Sequence, residues 1–178
     1  MSRKRRWEIG ATAALLLAVA VAVCGFFYGQ ERQRRLDREL SAVLSLWANT
    51  STRTGPLRSR MLSLLRRGAA VQAHDKEGGW TVVAVAAHDN DLPLLRKALS
   101  QGADINAAGE GEYPPLVVAV IAGSVESVAL LLEQGVDVSQ FGREALQFAE
   151  QHAAKPTNPR RQRHAAIVRL LKQHGAKD

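Results

Sequence analysis

Four segments of this chain end alike. Leu64-Leu65-Arg66-Arg67-Gly68, Ala98-Leu99-Ser100-Gln101-Gly102, Leu131-Leu132-Glu133-Gln134-Gly135 and Leu170-Leu171-Lys172-Gln173-His174-Gly175 each pass from apolar residues through polar ones to a glycine. The glycines follow one another at 34, 33 and 40 residues. A period this long is the length of one supersecondary unit, which cannot bury an apolar face alone and must stack on its neighbours. A glycine closing an apolar helical segment fits the position just past a helix end, where the backbone turns left-handed and a Cβ is costly.

A second register runs through the same units. Thr81 to Asp91 aligns with Pro114 to Ser124 at 33 residues, and more loosely with Glu144 to Ala154. Ala86, Ala119 and Ala149 fall in one column, and Val83, Leu116 and Leu146 in a second. Small side chains in the first column let neighbouring helices approach closely. Each unit therefore reads as a short Ala-rich helix, a turn, a Leu-rich helix, a glycine and an extended polar segment. The fold class this predicts is all-α, a helical repeat solenoid.

The residues of these units resemble the ankyrin repeat. The resemblance is carried by Gly79-Trp80-Thr81 with Ala86-Ala87, and by Leu99 with Gly102-Ala103-Asp104-Ile105-Asn106. It continues through Pro115-Leu116, Ala119, Gly123, Val128, Leu131-Leu132 and Gly135-Val136-Asp137. No unit keeps the family's whole Thr-Pro-Leu-His tetrapeptide: Thr81 lacks the following proline, and Pro115 lacks the preceding threonine. The match covers about residues 57–177, with atypical units at both ends as a solenoid's caps require. The last unit carries an insertion near 155–163, where Pro156, Asn158 and Pro159 predict a rigid loop. The resemblance implies a module that binds another protein through its projecting turns and inner helices.

Ahead of the repeats, residues 9–29 carry no charge, while Arg3, Lys4, Arg5 and Arg6 precede them. As a helix this run is about 31 Å long, enough for the ~30 Å hydrocarbon layer. Trp7 at one end and Phe26, Phe27 and Tyr28 at the other fit an aromatic belt. A cleaved signal peptide or a lipoprotein signal fits less well, since the run ends in Phe-Phe-Tyr and Val23 stands before Cys24. The expectation is a single transmembrane helix, with the lipid bilayer as the partner of residues 9–29. Arg32, Arg34, Arg35 and Arg38 beyond it nearly balance the basic head. The compact head tips the expected orientation toward repeats outside the cytoplasm, periplasmic if the cell is bacterial.

Leu36, Leu40, Val43, Leu44 and Trp47 recur at helical spacing. Residues 49–56 read as a loop leading to a helix start at Pro56. The expected organisation is a basic head over 1–8, a spanning helix over 9–29, a juxtamembrane helix and linker over 30–56, and the repeat domain over 57–178. A fragment beginning near Ser51 is expected to fold alone. The formal charge of +7 divides into +4 over residues 1–40 and +3 beyond them, which makes the basic balance a weak argument for nucleic acid.

The sequence offers little that could do chemistry. The five histidines are scattered, Cys24 is the only cysteine, and no phosphate loop or nucleophile elbow is present. No catalysis, metal, cofactor or small-molecule substrate is expected. The expected function is membrane-tethered protein–protein interaction with a partner the sequence does not identify. A structural or protective subunit docked on an envelope enzyme is the first alternative. The candidate protein-binding residues are Trp80 and Tyr113, which hold the same position in successive units, with Asp75, Glu77, Glu110 and Glu112 on the projecting turns 72–80 and 106–114. A third projecting turn is expected over 138–143. Lys155, Arg160, Arg161 and Arg163 form a candidate contact for an anionic surface, lipid or nucleic acid, and this is the second alternative function.

Overall fold

The computed structural model describes the backbone of residues 3–49, 55–75, 79–108 and 113–177, and within those spans the side chains from Leu17 onward. The described residues are all-helical: α1 Arg3–Asn49, α2 Gly55–Arg66, α3 Val82–His88, α4 Leu92–Ser100, α5 Pro115–Ala122, α6 Val125–Glu133, α7 Val138–Ala154 and α8 Arg161–Gln173. The helices form two layers. In the inner layer α5 packs on both α3 and α7, and in the outer layer α4 packs on α2 and α6, with α8 beyond α6. One continuous apolar core runs from Leu36 to Ala176.

The helix ends explain the repeat. Gly68, Gly102, Gly135 and Gly175 all adopt a positive φ, between 82° and 94°. The residue after each donates its N–H to the carbonyl five residues back: Ala69 to Leu64, Ala103 to Ala98, Val136 to Leu131 and Ala176 to Leu171. This closes the outer helix and turns the chain back toward the inner layer. Inner helices begin by another device: the Thr81 hydroxyl accepts from the Ala84 N–H, and Pro115 pre-sets the first turn of α5. The Ala columns let these helices meet closely, since Ala86, Ala119 and Ala149 are all fully buried.

The single transmembrane helix expected over 9–29 is corrected by this structure. Among the described residues no helix is long and apolar enough to cross a membrane. The side chains of residues 9–16, part of the expected span, lie outside the described residues. Instead of stopping at Gly29, α1 runs on through Glu31, Arg32, Arg34 and Arg35 without a break. The single-pass localisation, with repeats outside the cytoplasm, is corrected with it, and the bilayer contact of residues 9–29 loses its basis.

The last third of α1 takes the place of an inner helix for α2. Leu36, Leu40, Leu44 and Trp47 are buried along one stripe. Asp37 accepts the Ala70 N–H at 2.7 Å, and the Ser41 hydroxyl donates to the His74 carbonyl at 2.8 Å. The units beyond are stitched in the same way. Asn90, itself left-handed at φ 56°, accepts the Ser127 N–H and donates to Glu126. The Ser124 hydroxyl donates to the His88 carbonyl.

The expected projecting turn over 138–143 is absent, because those residues are the start of α7. The Asp137 carboxylate caps the Gln140 N–H and launches the helix directly after Gly135. α7 is therefore 17 residues long, where α3 has 7 and α5 has 8. Much of the longer spacing of the last unit is helix, and the loop itself covers Lys155 to Arg160.

Candidate protein-interaction surface

The first projecting turn is a small hairpin built on Asp75. His74 and Thr81 form an antiparallel bridge, and the Asp75 N–H donates to the Trp80 carbonyl at 3.1 Å. The Asp75 carboxylate accepts the Trp80 N–H at 2.7 Å and is buried. Its charge therefore shapes the turn from inside. Glu77 lies outside the described residues, and so do Glu110 and Glu112.

Trp80 leaves this hairpin and lies along the inner layer. Its ring meets Trp47 edge-on at 4.9 Å and His88 at 6.2 Å, and it is half-buried. Trp47 in turn donates its indole N–H to Asp89 at 2.7 Å. Trp80 thus joins α1 to the first full repeat. Tyr113 holds the same position one unit later but faces the other way along the array. Its ring meets Phe148 of α7 at 5.5 Å, and it remains 42% exposed. Phe148 continues to His152, and His152 stacks on His164 at 5.0 Å. Within the described repeats, Tyr113 is the one large apolar side chain standing out from the body.

His88 and Phe148 escape a reading of the sequence. Helical spacing places Trp47 on the apolar stripe of its helix, but not its ring against Trp80, 33 residues on. Phe148 sits inside the lengthened α7 between the column members Leu146 and Ala149, where α3 and α5 carry the smaller Val85 and Val118.

The side chains of the four basic candidates do not all point to one place. Lys155 caps the end of α7 with its side chain exposed. Arg161 turns back and donates Nε to the Ala153 carbonyl at 3.0 Å. Arg160 reaches the other way, donating Nη1 to the Ala122 carbonyl at 2.8 Å, and Arg163 stands on the same side of α8.

Among the described residues, no three His, Cys, Asp or Glu side chains gather as a metal site needs. A recess of about 530 Å³ opens between the first two units, lined by Trp47, Met61, Val85 and Leu94. The charged groups at its rim are used within the fold: Asp91 accepts from Arg58 and caps the Leu94 N–H. That pairing holds the Arg58 guanidinium above its ordinary range, first by the hydrogen bond and then by the carboxylate's charge.

Comparison with known proteins places these helices. A family model of ankyrin repeats, three copies, matches residues 57–142 and 83–178. The Arf-GAP with coiled-coil, ANK repeat and PH domain-containing protein 2 of Rattus norvegicus is 39% identical over 57 residues, 31% of this chain and 7% of that protein. The ankyrin repeat protein nuc-2 of Neurospora crassa is 33% identical over 79 residues, 44% of this chain and 7% of its own length. The alpha-latrocrustotoxin-Lt1a of Latrodectus tredecimguttatus is 34% identical over 97 residues, 54% of this chain and 6% of the toxin. The chain thus spans less than a tenth of each of these relatives.

Proposed function

The chain belongs to the ankyrin repeat family, and we propose that it works as a protein-binding module whose contact surface is the exposed side of its inner layer, centred on Tyr113. The exposure of Tyr113 carries the reading. Residues Pro114 to Val120 directly behind it are all buried, so the ring rests on a rigid wall with Phe148 bracing its edge. A large, pre-ordered aromatic standing out of a packed surface is the type of residue that anchors protein interfaces. Trp80, at the matching position, is already used in packing against Trp47 and supports the surface from below. The matched segments make up less than a tenth of each relative, so the rest of those proteins lends nothing to this reading.

A photo-reactive phenylalanine analogue in place of Tyr113 tests this, with the same analogue at Arg96, exposed on the outer helix α4, as control. The expected result is covalent capture of a discrete protein from position 113 and none from position 96. Tyr113→Ala should reduce recovery of the same protein about tenfold while leaving the helical circular dichroism unchanged. Equal capture from both positions, or recovery indifferent to Tyr113→Ala, would remove the assignment.

A further inference from the structure

Where the inner and outer helices turn into one another, three turns meet around a recess of about 210 Å³. Its lining includes His88, Asp89, Asn90, Ser124, Arg160 and Arg163. Arg160 is held across it at three points. Its backbone N–H donates to Asn158 Oδ1 at 2.9 Å, its carbonyl accepts the His164 N–H, and its Nη1 donates to the Ala122 carbonyl. Gly123 gives the side chain room, since a Cβ there would lie 3.4 Å from the Arg160 Cδ. The rest of the Arg160 fork, Nε and Nη2, has no partner among the described residues. Arg163 follows one turn of α8 later, exposed and without a hydrogen bond or ion pair among the described residues, and both arginines line the recess.

The nearby acids are already engaged. Asp89 accepts from the Trp47 indole at one oxygen and from His88 Nδ1 at the other. Glu126 accepts from Asn90 at 2.8 Å. Its carboxyl is held below the usual range by its own backbone N–H first, then by Asn90, with a smaller contribution from Arg163. The unspent donors in the recess are therefore cationic.

We propose that this recess binds a single phosphate group, free or carried on a phosphorylated side chain. Two planar forks with free N–H donors match tetrahedral oxyanion geometry and give charge-assisted hydrogen bonds. The volume is below the ~300 Å³ where pockets for drug-sized ligands begin, which suits one phosphate group. Lys155 and Arg161 do not line the recess. The site is thus narrower than a general basic surface, and it stands apart from Tyr113.

The test is titration of the full chain at constant ionic strength, with inorganic phosphate and with a phosphoserine peptide, followed by calorimetry and by the amide signals of Asn90 and Ser124. Saturable binding of at least one probe is expected, weakened at least tenfold by Arg160→Gln and by Arg163→Gln and unchanged by Arg161→Gln. Binding of phosphate alone identifies a free ligand, and binding of the peptide alone or more tightly identifies a modified protein. Arg163→Gln removes no side-chain bond of the fold, so its result stands even if Arg160→Gln disturbs the turn. No saturable binding of either probe, or equal losses in all three variants, would overturn the proposal.

Discussion

Replacing Leu40 by alanine asks whether α1 is part of the repeat array or an appendage to it. Leu40 is fully buried in the stripe with Leu36, Leu44 and Trp47 that covers α2 and the first hairpin. Removing a buried leucine side chain costs about 2–5 kcal/mol, the larger values applying where the surroundings cannot collapse into the space. In a chain of this size each kcal/mol moves the melting temperature by roughly 2–4 °C, so a fall of about 5–15 °C is expected. Val21 lies in the same helix but is 64% exposed. Val21→Ala should change stability by less than about 0.5 kcal/mol. Urea titration followed by tryptophan fluorescence reports on the site directly, because Trp47 and Trp80 lie 4.9 Å apart. Equal midpoints for Leu40→Ala and Val21→Ala would show that α1 is not docked, and the inner-helix role assigned to residues 36–49 would fail.

Gly123→Ala should cost more than Gly135→Ala, although both residues have positive φ, 69° and 83°. Each substitution places a Cβ in the left-handed region for about 1–2 kcal/mol, but only at Gly123 does it also meet His164 Cε1 at 3.2 Å; thermal unfolding of the two variants side by side checks the order. Asp137→Asn should flatten the acid side of the stability profile. The Asp137 carboxyl is held below its usual value by the Ser139 hydroxyl first and the Gln140 N–H second, so it stabilises the fold above about pH 4 and that contribution is lost as pH falls through the lower folded value. Asparagine keeps the cap without titrating, and melting temperatures measured between about pH 5 and pH 2 should separate the two chains.

The repeat was legible because its signals are local and obligatory. A left-handed helix end favours glycine, so Gly68, Gly102, Gly135 and Gly175 mark the outer helices, while Asn90 takes the left-handed place after α3. The Ala column was legible for the same reason, since close inner helices exclude larger side chains at Ala86 and Ala119. The start of α7 was not legible in that way. Asp137 can cap a helix or begin a turn, and only the missing hairpin after Gly135 decides between them. The apolar run before residue 30 misled because its length, basic head and aromatic flanks were read together as a span, while α1 continues through charge into the core.

The site was less legible than the fold because the position of an aromatic does not say which neighbour it will choose. Trp80 and Tyr113 are equivalent in sequence, yet Trp80 packs backward on Trp47 and Tyr113 packs forward on Phe148. The difference follows from what each unit adjoins. Trp80 faces α1, where Trp47 covers much of its ring, whereas Tyr113 faces the lengthened α7, where Phe148 touches one edge and leaves 42% of the residue exposed. Asp75 shows the same principle for charge: its carboxylate is spent on the Trp80 N–H before any partner arrives. A fragment beginning near Ser51 would remove the buried stripe that packs on α2, and with it the Trp47 ring that meets Trp80. The end of the array that looks like a linker is therefore the end whose loss would disturb the inner layer on which Tyr113 stands.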